Sequence, residues 1–258
     1  FKIIISHFFG MSVVAYYEIA IKVKNQINGL FHKMTIPLYP YLSQLTDKEF
    51  MATLIKDLTK KIFLLTLPVC LMLLFTCHDI VILWLQTNDW YYTYFIIGIA
   101  VPFLLFSPPT LPIYMFLLTK GHPEKTIIFQ SFTVLTNLLL FFLLYPFVGI
   151  YALLVANALE CLGSFILGIY YQYKYSRIIY RTPKATEVRS YTLLFLAYLC
   201  IGWTGYYILN SYLAIFYIIC LLPIATIYLY KHLDIIGEKD IERYFSENRF
   251  IVSLYNKL

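Results

Sequence analysis

Apolar runs of about 20 residues recur along nearly the whole chain, and no other feature of the sequence restricts its fold as strongly. At 1.5 Å per residue, that is the length at which a helix crosses a hydrocarbon core of about 30 Å. Lipid offers no hydrogen bonds to the backbone, so runs of this kind must close their own N–H and C=O groups as helices. A transmembrane barrel would show weaker alternating segments of about ten residues. Charge content points the same way: 13% of the 258 residues are charged and 60% are hydrophobic, whereas a soluble domain carries about a quarter charged residues. The expected class is therefore all-α, a polytopic transmembrane helix bundle. The chain opens at Phe1 within an apolar run, without an initiator Met or a charged signal start, and so reads as a piece of something longer.

Breaks at Gly, Pro and charged residues delimit the end of one span at 1–9 and further spans near 13–37, 62–85, 91–118, 126–145, 149–172, 191–209 and 212–230. Grouped as domains, these are a truncated helix (1–9), a five-helix lobe (10–173), a basic loop (174–190), two additional helices (191–231) and a tail (232–258). The connections "GMS", "QTNDW", "YPFV" and "NSY" hold no Lys or Arg, while the others hold sixteen of the twenty basic residues, among them Lys56, Lys60, Lys120, Lys125, Arg177 and Arg243. The positive-inside rule places those basic segments and the C-terminus in the cytoplasm. The tail interleaves charges with Ile235, Ile236, Ile241 and Phe245, as expected of a segment on the inner membrane surface or of a solvated tail. "SPPTLP" is expected to break or bend the 91–118 helix, because three prolines there withhold backbone donors.

Four basic residues fall outside this pattern: Lys2, Lys22, Lys24 and Lys33. Three of them lie in "YYEIAIKVKNQINGLFHK" (16–33), where a lipid-facing helix should be apolar. At about 100° per residue, Glu18, Lys22, Asn25, Gln26, Gly29 and Lys33 fall on one stripe. A charge at the bilayer centre costs about 2.5–3.5 kcal/mol on insertion scales, so such a stripe must face protein or a wet cavity. Glu18 and Lys22, one turn apart, have the spacing of an ion pair, and Lys33 is near enough to the inner boundary to snorkel. Lys22 lies roughly 15 Å deep and needs water or an anion. Lys24 points to the opposite face with Asn28. Lys2, on the preceding span, falls at comparable depth and adds a second positive charge.

In "YALLVANALECLGSFILG", Ala152, Ala156, Glu160, Ser164 and Gly168 recur at every fourth residue, a ladder that lets helices approach closely and carries one carboxylate. Glu160 is either a packed acid held by a partner or a cavity group that takes up a proton as helices rearrange. Asp79 is near an outer helix end. The five cysteines lack C-x-x-C spacing and read as packing residues. His7, His32, His78, His122 and His232 are scattered, so no metal site, cofactor or nucleic-acid partner is expected. No phosphate loop, H-E-x-x-H motif or large extramembrane segment supports an enzyme.

Taken together, "FFGMSVVAYYEIAIKVKNQINGL", "IPLYPYLSQL", "LLTKGHPEKT" and "TNLLLFFLLYPFVGIYALLVANALE" resemble the second half of a polysaccharide or oligosaccharide flippase, of the O-antigen translocase type, in the multidrug/oligosaccharidyl-lipid/polysaccharide exporter superfamily. The resemblance rests on Gly10, Tyr17, Pro40, Ser43, Gly121, Asn137, Pro146, Gly149 and Ala152 in order, and covers nearly the whole chain. It implies a 14-helix fold of two six-helix lobes plus two helices, with the opening stub as helix seven. It also implies a central cationic cavity for a lipid-linked sugar pyrophosphate, worked by alternating access in a bacterial cytoplasmic membrane. By position, Lys22, Lys24, Asn25, Gln26 and Lys2 would line that cavity, and Glu18 or Glu160 would change protonation or partner between states. Implied partners are the lipid-linked oligosaccharide, membrane lipids, and a polysaccharide polymerase with other assembly proteins. A drug-exporting antiporter of the same superfamily, a membrane-bound polymerase or transferase, and a non-transporting scaffold are the alternatives.

Overall fold

A computed structural model describes residues 2–45, 47–176, 192, 196–204, 224 and 226. Two compact units divide the chain, Phe1–Tyr180 and Arg181–Leu258. In the second, residues 196–204 are helical and the buried Tyr198 hydroxyl donates to Thr226 Oγ1 at 2.8 Å. The expected basic loop from 177 on, most of the two additional spans, and the tail 232–258 lie outside the described residues.

All the regular structure among the described residues is helical. The first unit begins with α1 (Lys2–Phe9) and α2 (Met11–Thr35). Only Gly10 separates them, at φ 82° and ψ 177°, a backbone region open to glycine and strained for other residues. A short α3 (Leu38–Gln44) follows, then α4 (Lys48–Leu85). The Asp47 carboxylate caps α4, accepting from Glu49 N at 2.9 Å and Phe50 N at 3.3 Å.

At 38 residues, α4 is about 57 Å long, nearly twice the hydrocarbon thickness. The apolar span expected at 62–85 forms only its later part. The earlier turns are amphipathic, with Met51, Leu54, Ile55 and Leu58 buried at helical spacing. They form a second core with Leu42 of α3, with Ile113, Phe116 and Leu117, and with Tyr171. This core is what extends the helix beyond its lipid-length segment.

Asp89 caps α5 (Trp90–Phe106) by accepting from Tyr91 N at 3.0 Å. The expected interruption follows: a buried 3₁₀ turn at Pro108–Thr110 before α6 (Leu111–Thr119). Two consecutive prolines supply no N–H, and Thr110 bonds back to Ser107 O through N at 3.0 Å and through Oγ1 at 2.7 Å. α7 (Pro123–Val148) and α8 (Ala152–Ser176) complete the unit, joined by a 3₁₀ turn starting at Gly149. The start of α7 meets the end of α8, with His122 and Tyr175 ring centres 5.0 Å apart, so the two run antiparallel.

The small-residue ladder of α8 does what its spacing predicts. Ala152 and Ala156 are fully buried, and a Cβ on Gly168 would lie 2.9 Å from Thr110 Cγ2. The close approach puts Asn157 Nδ2 3.2 Å from the Ile99 carbonyl of α5.

Three segments are long and apolar enough to cross a membrane: Glu49–Leu85, Trp90–Thr119 and Pro123–Tyr175, the last folded back at Gly149. α2 has the length of a span, but Glu18, Lys22, Lys24 and Lys33 make it more polar than these.

Candidate functional site

The uncovered faces of the first unit differ in chemistry. On α7 the exposed side chains include Ile127, Val134, Leu135, Leu139, Leu143 and Phe147, all of which suit lipid. On α2 they are mixed, with Lys22, Asn25, Gln26 and Lys33 beside the apolar Leu30 and Met34. The inner side of α2 packs on α5 through Val13, Ala20 and Phe31, and this fixes the helix rotation. Any rotation that buries those three leaves the polar stripe open.

Across the mouth of this stripe, Lys2 of α1 forms an ion pair with Glu18. The pairing of Glu18 with Lys22 suggested by their one-turn spacing is therefore replaced by one with a residue sixteen positions away. The replacement follows from the tight turn at Gly10, which lays α1 beside α2. Lys2 and Glu18 offset one another, and among the described residues Lys22 takes part in no ion pair within 4 Å. The stripe thus carries, among the described residues, two ammonium groups without an ion pair, Lys33 toward its end and Lys22 beside the carboxamides of Asn25 and Gln26.

Lys24 is placed differently. Its Nζ lies 4.5 Å from the centre of the Phe103 ring on α5, a cation–π contact. It is half-buried and makes no ion pair within 4 Å among the described residues. Glu160 accepts from Ser164 Oγ at 3.0 Å and lies 3.6 Å from Cys161 Sγ, with the Asn137 side chain of α7 nearby. Of the residues expected to share a cavity, Lys22, Asn25 and Gln26 stand together, Lys2 adjoins them through Glu18, and Lys24 stands apart from them over Phe103.

Asn137 and Tyr17 are not among the site residues that the sequence singles out, although both are among the positions that carry the resemblance. Asn137 is the one carboxamide in "TNLLLFFLLYPFVG", and that isolation was a usable signal. Tyr17 precedes Lys24 by seven residues, two helical turns, and so lies on the same side of α2. Phe103, one aromatic among many, carried no signal.

No known family, curated protein or solved structure matches the chain.

Two ends of the unit are distinguishable. At one, the Tyr16 hydroxyl donates to Asp89 Oδ2 at 2.7 Å, Tyr16 stacks on Tyr91, His78 stacks on Trp90 at 3.5 Å, and Trp84, Tyr91 and Tyr94 are exposed. Such aromatic crowding is usual at a membrane–water interface. At the other, Lys120 Nζ donates to the Leu45 carbonyl at 2.7 Å and Lys61 pairs with Asp57 at 2.8 Å. Among the described residues, the connections "GMS", "QTNDW" and "YPFV" gather at the first end and the basic stretches around Lys61 and Lys120 at the second, as alternating antiparallel helices require. Cys70, Cys77 and Cys161 are buried and Cys200 is exposed. Among the described residues, no three His, Cys, Asp or Glu side chains group as metal ligands.

Proposed function

We propose that the first unit is the second lobe of a transporter that flips an undecaprenyl-pyrophosphate-type lipid-linked oligosaccharide across a bacterial cytoplasmic membrane, for surface polysaccharide synthesis, by alternating access. One observation carries this reading: α2 leaves Lys22, Asn25 and Gln26 open together in a unit whose α7 turns an apolar face outward. A membrane protein that turns apolar side chains outward on α7 has no packing reason to leave an ammonium without an ion pair on a helix of spanning length. A water-filled chamber for an anionic head group supplies one. In that chamber, with a dielectric well below that of water, Lys22 attracts pyrophosphate more strongly than it would in bulk solution. The carboxamides donate to sugar hydroxyls or phosphate oxygens. In this reading the basic end of the helices and the C-terminus are cytoplasmic, and a polysaccharide polymerase and other assembly proteins are the partners.

The test is Lys22→Ala in cells whose surface polysaccharide depends on this transporter. Loss of one charge-assisted contact, worth about 1.5–3 kcal/mol, should reduce export by about 10–100-fold, with the lipid-linked intermediate accumulating and the protein still inserted. Lys22→Arg should retain export. Normal export by a stable Lys22→Ala protein overturns the reading. A multidrug antiporter of the same superfamily is disfavoured because cationic drugs call for free carboxylates, and Glu18 and Glu160 both have partners. Uptake of cationic dyes by everted vesicles, unaffected by Lys22→Ala, would instead support that alternative.

A further inference from the structure

Pro102 lies inside α5, four residues after Gly98. A proline has no N–H, so the Gly98 carbonyl loses the donor that an ordinary helical turn supplies, and the pyrrolidine ring presses that carbonyl off the helix axis. Within an apolar span such as Trp90–Thr119, lipid offers no replacement, and a neighbouring helix must. The neighbour here is α8. Its Asn157 places Nδ2 3.5 Å from the Gly98 carbonyl and 3.2 Å from the Ile99 carbonyl. A carboxamide nitrogen carries two hydrogens, one for each acceptor.

Gly98 itself lets α8 come near enough. A Cβ there would lie 3.0 Å from Leu154 Cδ1 and 3.1 Å from Leu154 Cβ, one turn before Asn157 on α8. Ala156, beside Asn157, is fully buried. From α4, Cys70 Sγ lies 3.8 Å from the Val101 carbonyl of the same turn. The turn that α5 weakens by its own sequence is thus met by donors from two other helices.

We propose that Pro102 and Asn157 form an interhelix clasp. The proline takes one hydrogen bond out of α5, and the carboxamide of α8 replaces it, so the opened turn is closed only while the two helices stay together. Parting or sliding of α5 and α8 leaves the Gly98 carbonyl unsatisfied in apolar surroundings, which costs more than a made bond contributes. In any rearrangement of the unit, α5 and α8 therefore move as one body. The clasp stands on the geometry of this seam and does not rest on the transport reading.

The test is a double-substitution cycle on the full chain in detergent, read by hydrogen–deuterium exchange of the Phe103–Phe106 amides. Asn157→Ala removes both donors without adding bulk. It is expected to raise exchange there by about tenfold, equivalent to ~1.4 kcal/mol and within the cost of an unsatisfied buried acceptor. Pro102→Ala returns the N–H that closes onto Gly98 from within α5. Asn157→Ala added to Pro102→Ala is then expected to change exchange by less than about twofold, because the two sites share one bond.

A side chain that served packing alone would give the same rise in both backgrounds. Equal rises overturn the clasp, and so does an Asn157→Ala protein that exchanges like wild type. Should Asn157→Ala fail to reach the membrane, insertion decides: recovery in Pro102→Ala/Asn157→Ala supports the proposal, and failure of the double variant as well overturns it. The polysaccharide assay on Lys22→Ala is independent of all these outcomes, so either idea can fail alone.

Discussion

The charges of α2 divide into three situations that spacing alone treats as one. Glu18 is offset by Lys2, Lys22 has no ion pair among the described residues, and Lys24 is spent on an interior contact. The consequence is testable at single residues. Lys2→Ala leaves Glu18 one turn from Lys22, where it competes with an anionic ligand for the ammonium. Export should therefore fall in Lys2→Ala and recover in Lys2→Ala/Glu18→Ala, measured as surface polysaccharide. Equal loss in both would mean that Lys2 meets the ligand itself. The stripe was legible in the sequence because a helix imposes its period on every side chain. The partners were not, since each comes from another helix.

At the scale of elements, local chemistry fixed most of the boundaries. Asp47 and Asp89 cap their helices, the prolines after Ser107 convert one turn to 3₁₀, and Gly149 turns α7 back onto α8 at φ 56° and ψ −128°. Those dihedrals are inaccessible to a residue with a Cβ without strain of about 1–3 kcal/mol. Gly149→Ala should therefore lower the unfolding midpoint in detergent, whereas Ala at Gly29, where a Cβ has open space, should leave it unchanged or raise it. Hydropathy did not reveal α3 or the first turns of α4. Both are half-polar, and they are stabilised by the second core they make with α6 and α8, a contact between segments distant in sequence.

Over the whole first unit, the division between an apolar outward face on α7 and a mixed one on α2, which bears Lys22, Asn25 and Gln26 beside Leu30, governs where a new charge is tolerated. Arg at Leu139, which is 68% exposed, would face lipid and cost about 2.5–3.5 kcal/mol of insertion. Arg at Asn25 would join a face that already bears Lys22 and should insert normally. The fraction of each variant recovered in the membrane after alkaline extraction measures the difference, and equal recovery would show that the two faces share one environment. The helical class and the membrane setting followed from sequence alone, since run length and backbone hydrogen bonding in lipid are properties of each segment by itself. Which lysine is paired, which is buried and which is left open was decided by the tertiary structure. An ion pair or a cation–π contact needs two groups within a few ångströms, and here helix packing brings together residues that the chain keeps far apart.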